Sequence, residues 1–176
     1  MTPIRLIPAA AGHMAAARAL YLDAFPPEER RPWEQIVSPA SPTGPRLYIL
    51  QLSDGMAAGF VTVWCFDAFI YVEHLAVDPA VRGGGIGASA LARLAEMYGK
   101  PLALEVEPPS DDNPMAARRI SFYRRCGFDV LDFDYIQPPY AENLPAVPLF
   151  LMATEGAPEP FLIAETLHRE VYGVVV

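Results

Sequence analysis

Residues 69–98 constrain the fold more than any other part of this sequence, because they combine four local signals in one order. Aromatic and β-branched residues dominate positions 69–77, which predicts a strand. Asp78-Pro79 ends this strand, since proline has no N–H to donate to a strand ladder. Glycines at positions 83, 84, 85 and 87 then precede apolar residues at helical spacing. The segment therefore predicts a strand, a glycine-rich loop and a helix.

The glycine-rich loop has the properties of a phosphate-binding site. A loop with few Cβ atoms lets backbone amides approach a ligand closely. The helix that follows directs its unpaired N–H groups and the positive end of its dipole into the loop. Glycine clusters also form simple turns. A strand before the loop and a helix after it favour a phosphate site over a turn.

The spacing of the glycines argues against two common nucleotide sites. A Walker-A loop needs Lys-Ser or Lys-Thr after its last glycine, but Ile86-Gly87-Ala88 stands here. A dinucleotide fingerprint needs its glycines directly after the first strand of a βαβ unit, with an acidic residue ending the next strand. No Asp or Ser that could hold a metal accompanies the glycines, so a nucleotide-binding domain is disfavoured.

The loop has a fixed spacing of Arg82, two residues, Gly85, one residue and Gly87, and the letters LAVDP precede it. This pattern resembles the acyl-CoA-binding segment of the GCN5-related N-acetyltransferase (GNAT) family. The resemblance is clearest over residues 47–128. It implies an α/β (α+β) fold, in which helices flank a mixed, mostly antiparallel sheet with a V-shaped splay between its two central strands. It also implies acetyl-CoA as co-substrate and no metal.

Periodicity and turn residues predict one domain over residues 1–176, with residues 157–176 as an added C-terminal tail. The predicted order is β-α-α-β-β-β-α-β-α-β-β, which matches the family. The predicted elements include helices over 28–37 and 115–126, one strand over 128–136, and a tail helix over 160–172.

Composition limits the function classes. The net charge is −8 and no basic block is present, which argues against nucleic acid as partner and is compatible with a cationic substrate. No apolar run reaches the roughly 18 residues of a membrane span, and no signal peptide is evident, so we expect a cytoplasmic protein. Cys65 and Cys126 lack metal-type spacing and are interpreted as small buried hydrophobes.

The resemblance assigns the coenzyme to two stretches of backbone. The amides of the glycine loop hold the pyrophosphate, and those of the preceding strand polarise the thioester carbonyl. Many family members carry an asparagine seven residues before a helix tyrosine, where this chain has Ala116, so Asn113 is the candidate replacement. The predicted coenzyme contacts are Leu75, Ala76, Val77, Arg82, Gly83, Gly84, Gly85, Gly87, Ala88 and Asn113.

Tyr123 is the candidate general acid. It lies in SFYRRCGF, which resembles the family segment whose tyrosine protonates the coenzyme sulfur. With a pKa near 10, a phenol keeps its proton at neutral pH. The alternative is a core tyrosine whose hydroxyl bonds within the protein.

Glu73 is the candidate general base, because it interrupts an otherwise apolar strand. In a regular strand it shares a face with Tyr71 and Leu75 and points away from His74. In several family members a glutamate at this position accepts the amine proton. An anchor for the substrate ammonium and a structural salt bridge are the alternatives.

Glu105 and Glu107 lie on one side of the predicted strand LALEVE. With Tyr71 they are the candidate acceptor-binding residues, and the carboxylates suit a cation. An exposed strand face explains the two acidic residues equally well.

These observations predict an acetyl-CoA-dependent N-acetyltransferase that acts on a primary amine of a small molecule or peptide by direct attack. Neither cysteine lies in an activating setting, so no covalent intermediate is expected. The alternative is a non-catalytic acyl-CoA-binding or regulatory domain on the same fold. The acceptor stays open, and the apolar ending at residues 174–176 leaves a homodimer open.

Overall fold

One eight-stranded sheet runs through residues 2–174, the part of the chain that the computed structural model describes. Its strands are β1 (Ile4–Pro8), β2 (Arg46–Leu52), β3 (Ala57–Cys65), β4 (Ile70–Val77), β5 (Leu102–Val106), β6 (Phe128–Val130), β7 (Tyr135–Gln137) and β8 (Val147–Thr154). The α-helices are α1 (Met14–Ala24), α2 (Trp33–Val37), α3 (Ile86–Tyr98), α4 (Pro114–Arg125) and α5 (Pro160–Thr166). Val175 and Val176 belong to the apolar ending that leaves a homodimer contact open, and they lie outside the described residues.

The strand order is β1-β2-β3-β4-β5-β8-β6, and β7 also pairs with β8. Every pairing is antiparallel except that of β4 with β5. Helices α3 and α4 cover one face of the sheet, and α1, α2 and α5 cover the other. The predicted mixed, mostly antiparallel sheet is confirmed. Within residues 2–174 no helix has the length and hydropathy that a membrane span requires.

The two central strands separate part-way along their length. Residues Ile70 to Val72 of β4 pair with Leu102 to Leu104 of β5. The strands continue beyond this point to Val77 and Val106 without further pairing. The predicted V-shaped splay is therefore present, and it leaves a gap between the strand ends.

A β-bulge places Glu73 outside the regular ladder. The register between β3 and β4 passes from Thr62 opposite His74 to Val63 opposite Val72, so that Glu73 has no partner. A bulge breaks the two-residue alternation of side chains. The expectation that Glu73 faces away from His74 and alongside Leu75 is therefore wrong.

The faces of β4 follow from this bulge. Val72 and Leu75 both pack in the apolar cluster under α3 and α4. Glu73 and His74 lie on the opposite face, where the His74 ring meets the ring of Tyr21 on α1 at 4.9 Å. The carboxylate of Glu73 is 3.9 Å from Nδ1 of His74.

Three predicted elements have different bounds. The helix predicted over 28–37 divides into a 3₁₀ turn (Pro27–Glu29) and α2, because Pro32 cannot occupy a helix interior and instead precedes α2. The strand predicted over 128–136 divides into β6 and β7 around two aspartates. The tail forms α5 and then a π-helical turn (Leu167–Val171).

Candidate active site

The gap between β4 and β5 opens into a cavity of about 630 Å³. The glycine loop and the start of α3 form one end of its wall. The other end is lined by acidic side chains and by Tyr140, from the connection between β7 and β8. Tyr123 of α4 also lines this cavity.

The amides of the glycine loop are free to bind a ligand. Gly85 has φ 73° and directly precedes α3. No amide from Arg82 to Ala88 donates to an acceptor elsewhere in residues 2–174. The carbonyl of Gly84, by contrast, accepts from the amide and the hydroxyl of Thr2. Thr2 thus holds the loop by the carbonyl of Gly84 and leaves the loop N–H groups available, as an anion site requires.

Close packing explains the glycine in the first turn of α3. A Cβ on Gly87 would lie 3.2 Å from the ring of Phe122, which itself lines the cavity. Arg82 is fixed at the other side of the loop, where its Nε donates to the carbonyl of Val77 at 3.0 Å. The loop is therefore shaped by packing on α4 and by a bond to β4.

Gly87→Val is expected to weaken coenzyme A binding by at least about tenfold, or ~1.4 kcal/mol. The larger side chain must displace the ring of Phe122, which lines the cavity. Isothermal titration calorimetry measures the effect. Gly12→Val is the matched control, since Gly12 has open space around it and lies outside the cavity. Equal affinities in both variants would contradict a coenzyme site at this loop.

The direction of the β4 amides decides which of them face the gap. The amide of Asp78 donates to the carbonyl of Ala58 on the β3 side at 2.8 Å. Since successive N–H groups of a strand point in opposite directions, those of Val77 and Leu75 face the gap and that of Ala76 faces β3. Of the three amides predicted to contact the thioester carbonyl, those of Leu75 and Val77 are thus available.

Most of the predicted coenzyme contacts line the cavity: Leu75, Ala76, Val77, Arg82, Gly83, Gly85 and Gly87. Gly84, Ala88 and Asn113 are not among the lining residues. The side-chain amide of Asn113 donates to Glu107 at 2.9 Å instead. A coenzyme contact for Asn113 stays a prediction.

The Tyr123 hydroxyl is free to act on a ligand. Its ring packs against Phe122 and Phe128, with centroids 5.2 and 5.7 Å away. The hydroxyl has no hydrogen-bond partner within residues 2–174. Burial raises the pKa of Tyr123 to about 12, so the phenol is protonated at neutral pH.

Glu73 is a buried carboxylate that accepts three hydrogen bonds. Its Oε1 accepts from Nε of Arg31 at 2.9 Å and from the hydroxyl of Tyr140 at 3.0 Å, and its Oε2 accepts from the indole N–H of Trp64 at 3.0 Å. Burial by itself raises the pKa of this carboxyl. The charge of Arg31 and the hydrogen bonds outweigh that effect, so the pKa of Glu73 is lowered.

Arg31 is the cation that balances Glu73. It is only 7% exposed. Besides Glu73, it donates to Oε1 of Gln35 at 2.9 Å and to the carbonyl of Val171 at 2.7 Å. Its guanidinium also lies 5.0 Å from the ring centroid of Trp64. Arg31 therefore connects the site to the C-terminal segment.

Three tyrosine hydroxyls converge on Glu105. Tyr71 and Tyr172 donate to its Oε2 at 2.8 and 2.7 Å, and Tyr135 donates to its Oε1. Tyr71 is thus directed at Glu105 and does not line the cavity, whereas Glu105 does. Burial raises the pKa of Glu105 to about 7, although the three hydrogen bonds lower it.

Glu107 lies beside a second acidic residue, Glu29. The Glu107 carboxylate accepts from Nδ2 of Asn113 at 2.9 Å and from Arg119 at 3.0 Å. Burial and the nearby charge of Glu107 raise the pKa of Glu29 to about 7. Both residues line the cavity, so this end of the site is acidic.

Sequence reasoning missed several residues of the site: Glu29, Arg31, Tyr140 and Tyr172. Their partners are distant in sequence, and none stands in a periodic or glycine-rich pattern that would single it out. In the described part of the chain, no group of three or more His, Cys, Asp or Glu side chains is arranged to hold a metal.

Comparison with known proteins gives the family. The family model for the Acetyltransferase (GNAT) domain matches residues 44–130. A solved structure from Bacteroides thetaiotaomicron, assigned to the GNAT acetyltransferases, superposes with a TM-score of 0.85 at 39% identity and covers 98% of this chain and 100% of its own. The chain belongs to the GNAT family.

Two further comparisons are more limited. YjbC of Bacillus subtilis (strain 168), named as an acetyltransferase, is 42% identical over 60 residues, which are 34% of this chain and 31% of YjbC. The match thus spans about a third of that relative. A GNAT acetyltransferase from Elizabethkingia anophelis, solved with acetyl-CoA bound, has the same fold at a TM-score of 0.60 and 19% identity, covering 86% of this chain and 97% of its own.

Proposed function

We propose that this GNAT protein transfers the acetyl group of acetyl-CoA to a primary amine of a small molecule or peptide. One observation carries the proposal: a single cavity joins the free amides of the glycine loop, the free hydroxyl of Tyr123 and an acidic end. An N-acetyltransferase needs these three features, in this order, along one path.

The residues present fit the coenzyme. The loop amides from Arg82 to Ala88 bind its pyrophosphate at the N-terminus of α3. The amide of Leu75 or of Val77 donates to the thioester carbonyl and stabilises the negative charge that develops on its oxygen. Amides two residues apart on a strand are about 6.6 Å apart, so only one of them reaches that oxygen and the other is available to the rest of the coenzyme. Tyr123 donates its proton to the departing sulfur.

The acidic end suits an amine that arrives as a cation. An alkyl ammonium has a pKa near 10.4, so that roughly one molecule in a few thousand is neutral at pH 7. This deficit corresponds to about 4–5 kcal/mol, and a positioned base recovers part of it. Glu29, Glu73, Glu105 and Glu107 attract the ammonium to the place where the base must act.

The contacts of Glu73 support an anchoring role. A carboxylate whose pKa is lowered by Arg31 and by two further donors is a weak proton acceptor. It is negative at neutral pH, and it orients Tyr140 by accepting the hydrogen bond of its hydroxyl. We therefore assign Glu73 to holding the acceptor end in place.

A thiol-release assay tests the function. Acetyl-CoA is incubated with the protein and a panel of amines (diamines, amino acids, aminoglycosides and short peptides), and free thiol is measured. We expect release with at least one class, strongest for cationic amines. Tight binding of coenzyme A in calorimetry without thiol release from any amine would favour the non-catalytic acyl-CoA-binding domain instead.

A further inference from the structure

We propose that Glu105 takes the proton from the acceptor amine, and that Tyr172 of the C-terminal segment positions and tunes it for this step. The inference rests on the proposed function, because it names the base of that reaction. It also gives the C-terminal segment, which lies outside the region of the family match at 44–130, a direct part in the chemistry.

The hydrogen bonds of Glu105 leave one position for a substrate. A carboxylate has about four lone-pair positions. Two tyrosines occupy those of Oε2, and Tyr135 occupies one on Oε1. Oε1 therefore retains one acceptor position, and Glu105 lines the cavity. The three hydroxyls come from β4, β7 and the C-terminal segment, so the carboxylate is fixed from three sides.

Glu105 differs from Glu73 in having no cation beside it. The ion pairs formed among residues 2–174 include Glu73 with Arg31, and none of them involves Glu105. Burial raises the pKa of Glu105 to about 7. The charge of Glu73 also raises this pKa, and the three tyrosine hydrogen bonds lower it. A base with this pKa is half ionised at neutral pH and binds a proton far more strongly than Glu73 does.

The groups that face Glu105 are linked to one another. They are Tyr71 and Glu73 on β4, Tyr135 on β7, Tyr140 in the β7–β8 connection, Tyr172, and Glu29 across the cavity. The hydroxyl of Tyr172 lies 3.5 Å from that of Tyr140, which in turn donates to Glu73 at 3.0 Å. His168 packs on the Tyr135 ring with centroids 5.4 Å apart. One hydrogen-bonded network thus joins the anchor to the base.

In the proposed acetyl transfer, the ammonium gives one proton to Glu105 and becomes a free amine. The nitrogen lone pair forms the C–N bond, the C–S bond breaks, and its electron pair passes to sulfur, which takes the proton of Tyr123. The second nitrogen proton returns to the tyrosinate. The products are the amide, coenzyme A thiol and a protonated Glu105, which releases its proton to water.

The test is the pH dependence of kcat at saturating acetyl-CoA and amine. We expect kcat to rise with pH through a midpoint near 7, and the midpoint to stay fixed when amines of different basicity are compared. Glu105→Gln should lower kcat by about 10²- to 10⁴-fold and abolish the rise. Tyr172→Phe removes a bond that lowers the pKa of Glu105, so the midpoint should move up by about one half to one unit.

Tyr48→Phe is the matched control, since Tyr48 bonds to Tyr98 outside the cavity and its loss should leave the midpoint unchanged. If Tyr172→Phe lowers kcat equally at every pH, Tyr172 has only a structural role, and the proposed tuning of the Glu105 pKa is overturned. If Glu105→Gln does not fold, Tyr172→Phe still decides the outcome.

A second measurement is independent of turnover. Carbon-13 NMR of the labelled glutamates should show two carboxyls that titrate near pH 7, those of Glu29 and Glu105, and one of them should move upward in Tyr172→Phe and be missing in Glu105→Gln. Titration only near the usual value of about 4.3 would overturn the assignment. Absence of thiol release with all amines would contradict the proposed function itself, whereas thiol release with an unmoved midpoint contradicts only the role of Glu105.

Discussion

Replacing Tyr123 by phenylalanine should lower kcat by about 10²- to 10⁴-fold, the range expected when a general acid is lost. The substitution removes one hydroxyl that bonds to nothing in residues 2–174 and keeps the ring that packs on Phe122 and Phe128. Stability and coenzyme A affinity should therefore stay within experimental error of the parent. Thiol release gives kcat, and calorimetry gives the dissociation constant.

Tyr48→Phe again provides the control, because it deletes a phenol hydroxyl outside the cavity. Its kcat should be close to that of the parent. A Tyr123→Phe enzyme with unchanged kcat would mean that water or another side chain protonates the thiolate, and Tyr123 would then be a packing residue.

Replacing Arg31 by methionine should have the largest effect on stability, a loss of about 3–5 kcal/mol in the free energy of unfolding. The change leaves the buried Glu73 without its cation and removes the bonds to Gln35 and Val171. Urea denaturation measures the loss. Arg31→Lys should recover only part of it, because an ammonium cannot reproduce the planar geometry of the guanidinium.

Two further variants serve as controls for Arg31→Met. Arg93→Met breaks an exposed pair with Glu96 and should cost less than about 0.5 kcal/mol. The double variant Arg31→Met/Glu73→Gln should be more stable than Arg31→Met alone, since the uncompensated charge is gone. Equal unfolding free energies for Arg31→Met and Arg93→Met would show that the buried pair does not stabilise the fold.

The pH dependence of stability follows from the same pair. The pKa of Glu73 is lower in the folded protein than its ordinary value, so the pair stabilises the fold fully above that ordinary value. The contribution is lost as pH falls through the folded pKa. In Arg31→Met the free energy of unfolding should lack this pH-dependent contribution.

Local patterns explain which parts of the cavity wall are evident from the sequence. The glycine loop, the gap-facing strand and Tyr123 each stand in a short segment whose spacing determines its conformation, and the structure brings them to one cavity. Glu73 stands out in the sequence because a charge on an apolar strand needs a partner. The identity of that partner could not be predicted, since Arg31 is 42 residues away in sequence.

Long-range packing decides the rest. The bulge at Glu73 depends on the pairing of β3 with β4, so an alternation rule applied to β4 alone assigned the wrong face. Glu105 looked like a residue of an exposed strand or a substrate contact. Its actual surroundings come from Tyr135 and Tyr172, 30 and 67 residues further along the chain. Neither tyrosine carries a signal of its own.

The divergence of β4 and β5 gives the sheet two bare backbone edges in its interior. Other sheets have such edges only at their borders, where charged side chains or bulges protect them. An acetyl donor lying in the gap can bridge the two halves, and at one hundred times its dissociation constant it would add about 2.7 kcal/mol to the stability. A donor bound in the gap would thus take the place of a missing strand, and we expect the protein to denature at a lower urea concentration without acetyl-CoA than with it.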